Sequence, residues 1–532
     1  MLQRSIICRY VLPRLLFRKI SENSKEFFKK NIDASLLERP LYVLGTDLSI
    51  ISRELGFEDI RIPLDYLPLL QRLLIELIHR KDLREIIEDF KRLFRNAVKA
   101  VISSDELNSI REFFNIKDDQ DHYFLSSVVL KCPYCGRLII PATNATYRLG
   151  ITSKEFLKIN VKAEEDRVFV STSTLEGPPR KEETPAVKIV CPYCKSDIEN
   201  PREHIVLDCM PLIEIYIAGS RISVDEGVTW NWSITSLKGL TNNIEKTVEE
   251  CLDPKVIEGL SHILDPVGML IWALLIKELK RQGALNAKEN TILLSLLFLE
   301  FLERSSRHAI LSPIGHIRGY LSNPMGTAPI GRPWLSIVPG RNLENNILIE
   351  SLNVLINCIY DVLEALVKND IKIITSCEKL RGSVFIATPS FGERVAQEKA
   401  LFAIDALNKT LAPKSIDYNV ILGDLIGDST DALLILFKGL PEEPFFKKLE
   451  DFVNKANLHK KVIIAVDYPI PKPLVIFFKG EKSLKVHKGV SKIPRGVKKL
   501  MDSVVGFTFF LTHPEKDYGL SLKEKMGSGW AI

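Results

Sequence analysis

The sequence predicts an α/β protein built on a mostly parallel sheet, into which a β-rich segment is inserted. Three observations carry that expectation. Near the start, the apolar run Leu41–Leu44, a turn at Gly45, a helix-like Leu48–Leu55 and a second apolar run Ile60–Leu64 read as strand, glycine turn, helix and strand, the opening of a parallel unit. Late in the chain, a helix over 347–368 precedes apolar runs at Lys372–Thr375, Val384–Ala387, Ala432–Phe437, Val462–Val466 and Leu474–Phe478, an alternation that builds a parallel sheet with helices packed on it. Between these halves, residues 123–245 change to short strands and turns and carry two near-identical cysteine pairs.

Taken in order, residues 1–20 are apolar in character, but Arg4, Arg9, Arg14 and Arg18 interrupt every run. A secretory signal needs an unbroken apolar segment of ~7–15 residues, so secretion is not expected. From Leu67 to Phe114 the apolar spacing is helical, with charges on the opposite face. The segment GPPRKEETP, residues 177–185, reads as an exposed loop. Residues 246–310 return to helices, and Gly315 to Arg341 read as a Gly/Pro-rich loop. The most apolar helical stretches, Met269–Ile276 and Ile292–Leu299, fall short of the ~20 residues that span a bilayer, so they are expected as buried core helices. A cytoplasmic protein without a membrane partner is therefore expected.

The 532 residues are 46% hydrophobic and 26% charged, enough for a sizeable core, and the net charge of +5 does not by itself announce a nucleic-acid binder. The Ile-, Lys- and Glu-rich composition would suit a thermophile.

Four of the nine cysteines form the pairs Cys132-Pro-Tyr-Cys135 and Cys191-Pro-Tyr-Cys194, with 55 residues (136–190) between them. Each pair is expected to form a tight turn that aims two thiolates at one ion. Four thiolates close the tetrahedral shell of Zn²⁺ and make the site structural rather than catalytic. CPYC also occurs as a dithiol redox motif, but there a single copy opens a helix, whereas here both copies follow extended segments. His204 and Cys209 lie near enough in sequence to substitute as ligands, and Cys8, Cys251, Cys358 and Cys377 are expected as ordinary buried thiols.

With the ribbon placed, the chain resembles the zinc-ribbon-containing adenine-specific DNA methylases in the order of its parts over residues 35–480. GTDLSIISRELGF stands where that family has its S-adenosylmethionine-binding glycine loop, and IPLDYLPLL where it has an acidic residue after the second strand. KCPYCGRLIIP and VCPYCKSDI follow as the ribbon, then ILDPVGMLIWALLIKEL, the loop RPWLSIVPGRN, and VFIATPSFG at the Asp-Pro-Pro-Tyr strand. The resemblance implies a Rossmann-like class I methyltransferase sheet with an inserted zinc ribbon and helical segments. On that reading residues 1–122 begin the methyltransferase domain and 123–245 are the inserted ribbon and β region. A helical region and loop over 246–346 follow, then the second part of the domain at 347–480 and a basic segment at 481–532.

The same resemblance assigns Gly45 and Asp65 to S-adenosylmethionine, although a plain strand-end aspartate is the other reading of Asp65. Only one glycine of the family's Phe-x-Gly-x-Gly turn is present. Cys377 stands where the family has an acidic residue near the cofactor adenine. In the catalytic motif Thr388 replaces Asp, Pro389 is retained, Ser390 replaces the second Pro and Phe391 keeps the aromatic ring. A threonine accepts a hydrogen bond from a flipped base's amino group but carries no charge, so it polarises the amine far less than a carboxylate. The degraded motif points to a weakened or inactive methyltransferase-like protein that retains DNA binding, in defence or genome maintenance, with partner subunits possible. An active S-adenosylmethionine-dependent DNA methyltransferase and a non-enzymatic scaffold are the alternatives.

For DNA, the run from Lys482 to Lys499 holds seven basic residues (Lys482, Lys485, Lys488, Lys492, Arg495, Lys498, Lys499) and no acid. It reads either as a phosphate-tracking segment or as a solvated stretch near a chain end. Arg9–Lys30 is also basic. Arg318, Arg332 and Arg341, in the loop with Trp334, are further candidates.

Overall fold

The computed structural model describes residues 28–30, 32–44, 51–64, 67, 69–141, 146–149, 154–164, 166–176, 189–218, 221–225, 228–311, 317–321, 330–375, 382–388, 391–407, 430–437, 461–467 and 507–512. They divide into two compact units. The first holds the described residues of 84–356 and 398–407, and the second those of 28–83, 357–397 and 430–512.

The elements in chain order begin with β1 (Leu41–Leu44), β2 (Ile60–Pro63), α1 (Leu69–Ile78), α2 (Leu83–Ile102) and α3 (Asp105–Phe113). Strands β3 (His122–Lys131), β4 (Leu138–Ile139), β5 (Thr146–Arg148), β6 (Glu155–Glu164), β7 (Arg167–Glu176), β8 (Ile205–Ala218), β9 (Arg221–Ser223) and β10 (Thr229–Ser233) follow. Next come α4 (Ile234–Cys251), α5 (Pro254–Ser261), α6 (Pro266–Arg281), α7 (Lys288–Leu302), β11 (Ser306–Leu311), β12 (Ile317–Arg318) and β13 (Trp334–Val338). The chain continues through α8 (Ile347–Lys368), β14 (Ile371–Ile374), β15 (Gly382–Thr388), α9 (Phe391–Leu407), β16 (Thr430–Phe437), β17 (Lys461–Asp467) and β18 (Phe507–Thr512).

In the second unit, seven strands form one sheet in the order β14-β2-β1-β15-β16-β17-β18, and every pair is parallel. Numbered within the sheet the order is 3-2-1-4-5-6-7, the 3-2-1-4-5-6 order of doubly wound sheets with one strand added. Burial on both faces explains the unbroken apolar runs: Leu41, Val43, Val384 and Phe385 are fully buried. Strands 342 residues apart in sequence meet here, since Leu41 pairs with Ser383 and Leu44 with Ile386. Their amino ends are pinned at Pro40, whose carbonyl accepts the Ser383 N–H at 3.0 Å. Gly382 packs against that carbonyl at φ +147°, where a Cβ has no room. Arg53, in the helical turn after β1, donates to the Asn369 and Asp370 carbonyls at 2.8 and 3.0 Å and so ties that turn to the start of β14.

Two antiparallel sheets and a helical layer form the first unit. One sheet runs β12-β11-β13-β3-β8-β9 with β4 on β3, the other β10-β7-β6-β5. Side chains of both enter a common core that includes Leu125, Val129, Leu157, Val168, Met210 and Ile213. The strands of the middle segment are longer than the sequence suggested: β3, β6 and β7 each have 10 residues and β8 has 14. The segment expected as a Gly/Pro-rich loop contributes β13 to the sheet, with Trp334 opposite Ser126 and Val338 opposite His122. Helices α6 and α7 match the two apolar stretches and are buried, with Trp272 edge-on to Phe298 at 4.6 Å and Phe301 at 5.5 Å. The start of α6 is set by Asp265, whose carboxylate accepts the Gly268 N–H at 2.8 Å, and by Pro266 in the first turn. Among the described residues no helix is long and apolar enough to cross a membrane.

Candidate functional site

The two cysteine pairs form matching turns in the first unit. In the first, the Cys132 N–H donates to the Arg137 carbonyl at 2.9 Å and the Gly136 N–H to the Cys132 carbonyl at 2.9 Å. In the second, the Cys191 N–H donates to the Ser196 carbonyl at 2.9 Å and the Lys195 N–H to the Cys191 carbonyl at 3.0 Å. Each turn is closed by a short antiparallel pair, Lys131 with Leu138 and Val190 with Asp197. The residue after each second cysteine is left-handed, Gly136 at φ +70° and Lys195 at φ +63°. Cys132 and Cys191 are buried in a small core with Val128, Leu130, Ile139, Ile198, Ile310 and Trp334, while Cys135 and Cys194 face outward. That core anchors both turns to β3 and its neighbours.

The four Sγ atoms lie within 4.8 Å of one another, with Cys132–Cys194 and Cys135–Cys191 each at 3.7 Å. Four sulfurs at ~2.3 Å from one tetrahedral ion stand ~3.8 Å apart, so the cluster has the dimensions of a four-thiolate metal shell. The sulfurs also share protons unevenly. The Ser196 hydroxyl and backbone N–H beside Cys194 hold its thiol down at about 6. The Arg137 N–H favours the Cys135 thiolate, but desolvation and the three neighbouring sulfurs outweigh it and push the thiol up to about 11. Metal binding must displace the remaining protons, so metal retention weakens as pH falls. Among the described residues this is the one group of His, Cys, Asp or Glu side chains close enough to hold an ion. His204 lies in the short 3₁₀ turn Pro201–His204 and Cys209 in β8; neither joins the tetrad.

In the second unit, the segments singled out for a cofactor all leave the carboxyl edge of adjacent parallel strands. Gly45 follows the last residue of β1, Asp65 follows Leu64 just beyond β2, and Pro389 follows the last residue of β15. The strand order reverses between β1 and β15, and in doubly wound sheets ligands bind outside the carboxyl ends at such a switch point. Gly45, Asp65 and Pro389 themselves lie outside the described residues. Thr388 is the last residue of β15, and Phe391 begins α9 rather than continuing a loop. The basic run Lys482–Lys499 and the expected strand Leu474–Phe478 also lie outside the described residues; the strand seen next to β17 is β18, at 507–512.

Other assignments change. Trp334 is buried in β13 of the first unit, with the Arg307 guanidinium 5.7 Å from its ring centre. Arg307 also bonds the Asp208 carboxylate and the Leu264 carbonyl. Cys358, expected as a plain buried thiol, is disulfide-bonded. Two buried groups had no sequence signal: Lys399 of α9 donates to the Tyr320 carbonyl at 3.1 Å and lies 3.5 Å from the His308 ring. Desolvation, reinforced by the Lys399 charge, pushes His308 down to about 3, and desolvation takes Lys399 down to about 8. Compared with known proteins, the chain matches no family model, no curated protein and no solved structure.

Proposed function

We propose that this chain is a zinc-stabilised, methyltransferase-like protein that binds DNA and whose methyl-transfer chemistry is weakened or lost. The observation that carries the reading is the convergence of the β1, β2 and β15 exits on one carboxyl edge at the switch point of a parallel sheet. That order is common to doubly wound nucleotide-binding sheets, so it supports a nucleotide-like ligand there. S-adenosylmethionine is the ligand that the resemblance adds, with Gly45 at the strand-to-helix turn and Asp65 for the ribose hydroxyls. When bound, S-adenosylmethionine supplies an electrophilic methyl group. The chain's own part is to hold a base amine in line with it, and Thr388 does this without the charge of a carboxylate. Losing a charge-assisted contact of ~2–4 kcal/mol slows the step by roughly 10²–10³. Zinc is the ion that four thiolates at tetrahedral spacing select, and its role is to hold the two turns together.

The test uses the full-length, zinc-loaded protein. Saturable DNA binding together with methyl transfer that rises at least ~10-fold on Thr388→Asp is expected. Fast methyl transfer by the unaltered protein would replace this reading with an active methyltransferase. Absence of both DNA binding and S-adenosylmethionine binding would replace it with a scaffold.

A further inference from the structure

The metal centre accounts for the cysteines of the two turns but not for what stands between them. Each turn carries Pro-Tyr between its cysteines, and both tyrosines point into solvent: Tyr134 is 62% exposed and Tyr193 is 40% exposed. Neither ring is needed to close the metal shell, which the four cysteines complete. The two turns are cross-linked on their outer side, because the Arg137 guanidinium of the first lies 4.8 Å from the ring centre of Tyr193 in the second. The two turns, 131–138 and 190–197, contain three exposed cations, Lys131, Arg137 and Lys195, and one exposed acid, Asp197, where the second turn closes. Lys131 folds back over the first turn, with its Cε within 4.0 Å of the Cβ position at Gly136.

Exposed aromatic rings framed by cations, on a turn made rigid by a metal, match the chemistry of an unpaired nucleobase and its phosphate. Bases stack on the rings while Lys and Arg take the backbone charge. A duplex offers no free base face, so the complement is a single strand. We propose that the outer face of the paired cysteine turns is a stacking platform for single-stranded nucleic acid. Tyr134 and Tyr193 carry the bases, and Lys131, Arg137 and Lys195 the phosphates. This deepens the DNA-binding reading and rests on it.

The test measures anisotropy of a labelled 20-nucleotide thymidine strand, and of a duplex of the same length, with the zinc-loaded full chain. Tyr134→Ala and Tyr193→Ala are expected each to weaken single-strand binding by ~5–100-fold, with Tyr→Phe keeping it within a few-fold because the ring remains. Zinc content should stay at one ion per chain, which separates loss of stacking from loss of fold. Wild-type binding that is unchanged in the double alanine variant would overturn the platform and leave the DNA-binding reading standing. No binding of either DNA form by wild type would overturn the DNA-binding reading itself. A dimer in light scattering that Tyr134→Ala dissociates would assign the face to self-association and overturn the proposal.

Discussion

Replacing Lys195 with glycine moves the metal centre and the proposed nucleic-acid face in opposite directions. The two cysteine turns share one backbone, but Gly136 holds the left-handed position in the first and Lys195, at φ +63°, holds it in the second. A residue with a Cβ in that region costs ~1–2 kcal/mol, and the extra freedom of glycine in the unfolded chain returns ~0.5–1 of it. Lys195→Gly is therefore expected to stabilise the zinc-loaded protein by ~0.5–1 kcal/mol in urea unfolding. Where the turn closes only around the ion, the same energy appears as ~2–5-fold tighter metal retention at equilibrium with a competing chelator. Gly136→Lys should reverse the sign. The same Lys195→Gly removes one exposed cation, so single-strand affinity should drop and its salt slope should shrink by about 1. Unchanged stability, or weaker metal retention, would show that the turn does not hold Lys195 as described.

Three further predictions concern the core of each unit. Cys191→Ser removes a buried ligand, so the protein should hold less than one zinc per chain by elemental analysis and melt at lower temperature; a stable variant with full zinc would refute the tetrad. His308 resists protonation in the fold, to about 3, whereas the unfolded chain takes the proton near the ordinary value of 6.5. Its contribution is thus fully present above that value and is lost as pH falls, by ~2 kcal/mol at pH 5. Asp121, pushed up to about 6 mainly by burial, opposes this in the same window because the fold favours its protonated form. The useful readout is therefore the difference between wild type and His308→Gln in urea unfolding from pH 8 to 5: the variant should lose less, and parallel curves would refute the buried neutral imidazole. Gly382→Ala meets the Pro40 carbonyl and a positive φ at the amino ends of β1 and β15. It should cost ~1–3 kcal/mol in urea unfolding with zinc content unchanged, and a neutral result would contradict the pairing of these strands.

What could be read from the sequence depended on whether the signal was local. The runs at 41–44, 384–387 and 432–437 are strands because a parallel strand buried on both faces is uniformly apolar, a pattern visible without partners. The cysteine turns were equally legible, since the spacing within each pair aims two thiolates at one ion, whereas the meeting of the two pairs across 55 residues depends on the core around β3. Strand β13 was not: a five-residue run between Pro333 and Pro339 reads as loop until β3 and β11 supply its hydrogen bonds. Strand β3 hid its length because seven consecutive residues are buried, which erases the alternation expected of an antiparallel strand. Strand β18 lay inside a segment whose basic run dominated its reading. The pairing of His308 with Lys399, 91 residues apart, exists only in three dimensions. The exposure of Tyr134 and Tyr193 could not be read from CPYC either, because the motif fixes the cysteines and says nothing of which side the intervening ring takes.

Nucleic-acid binding by the zinc-loaded protein is tested most directly by its affinity for labelled DNA as salt is raised. Saturable binding at low salt is predicted, with log K falling linearly in log salt by a slope that counts several phosphate contacts. Absence of saturable binding, or binding indifferent to salt, would contradict it.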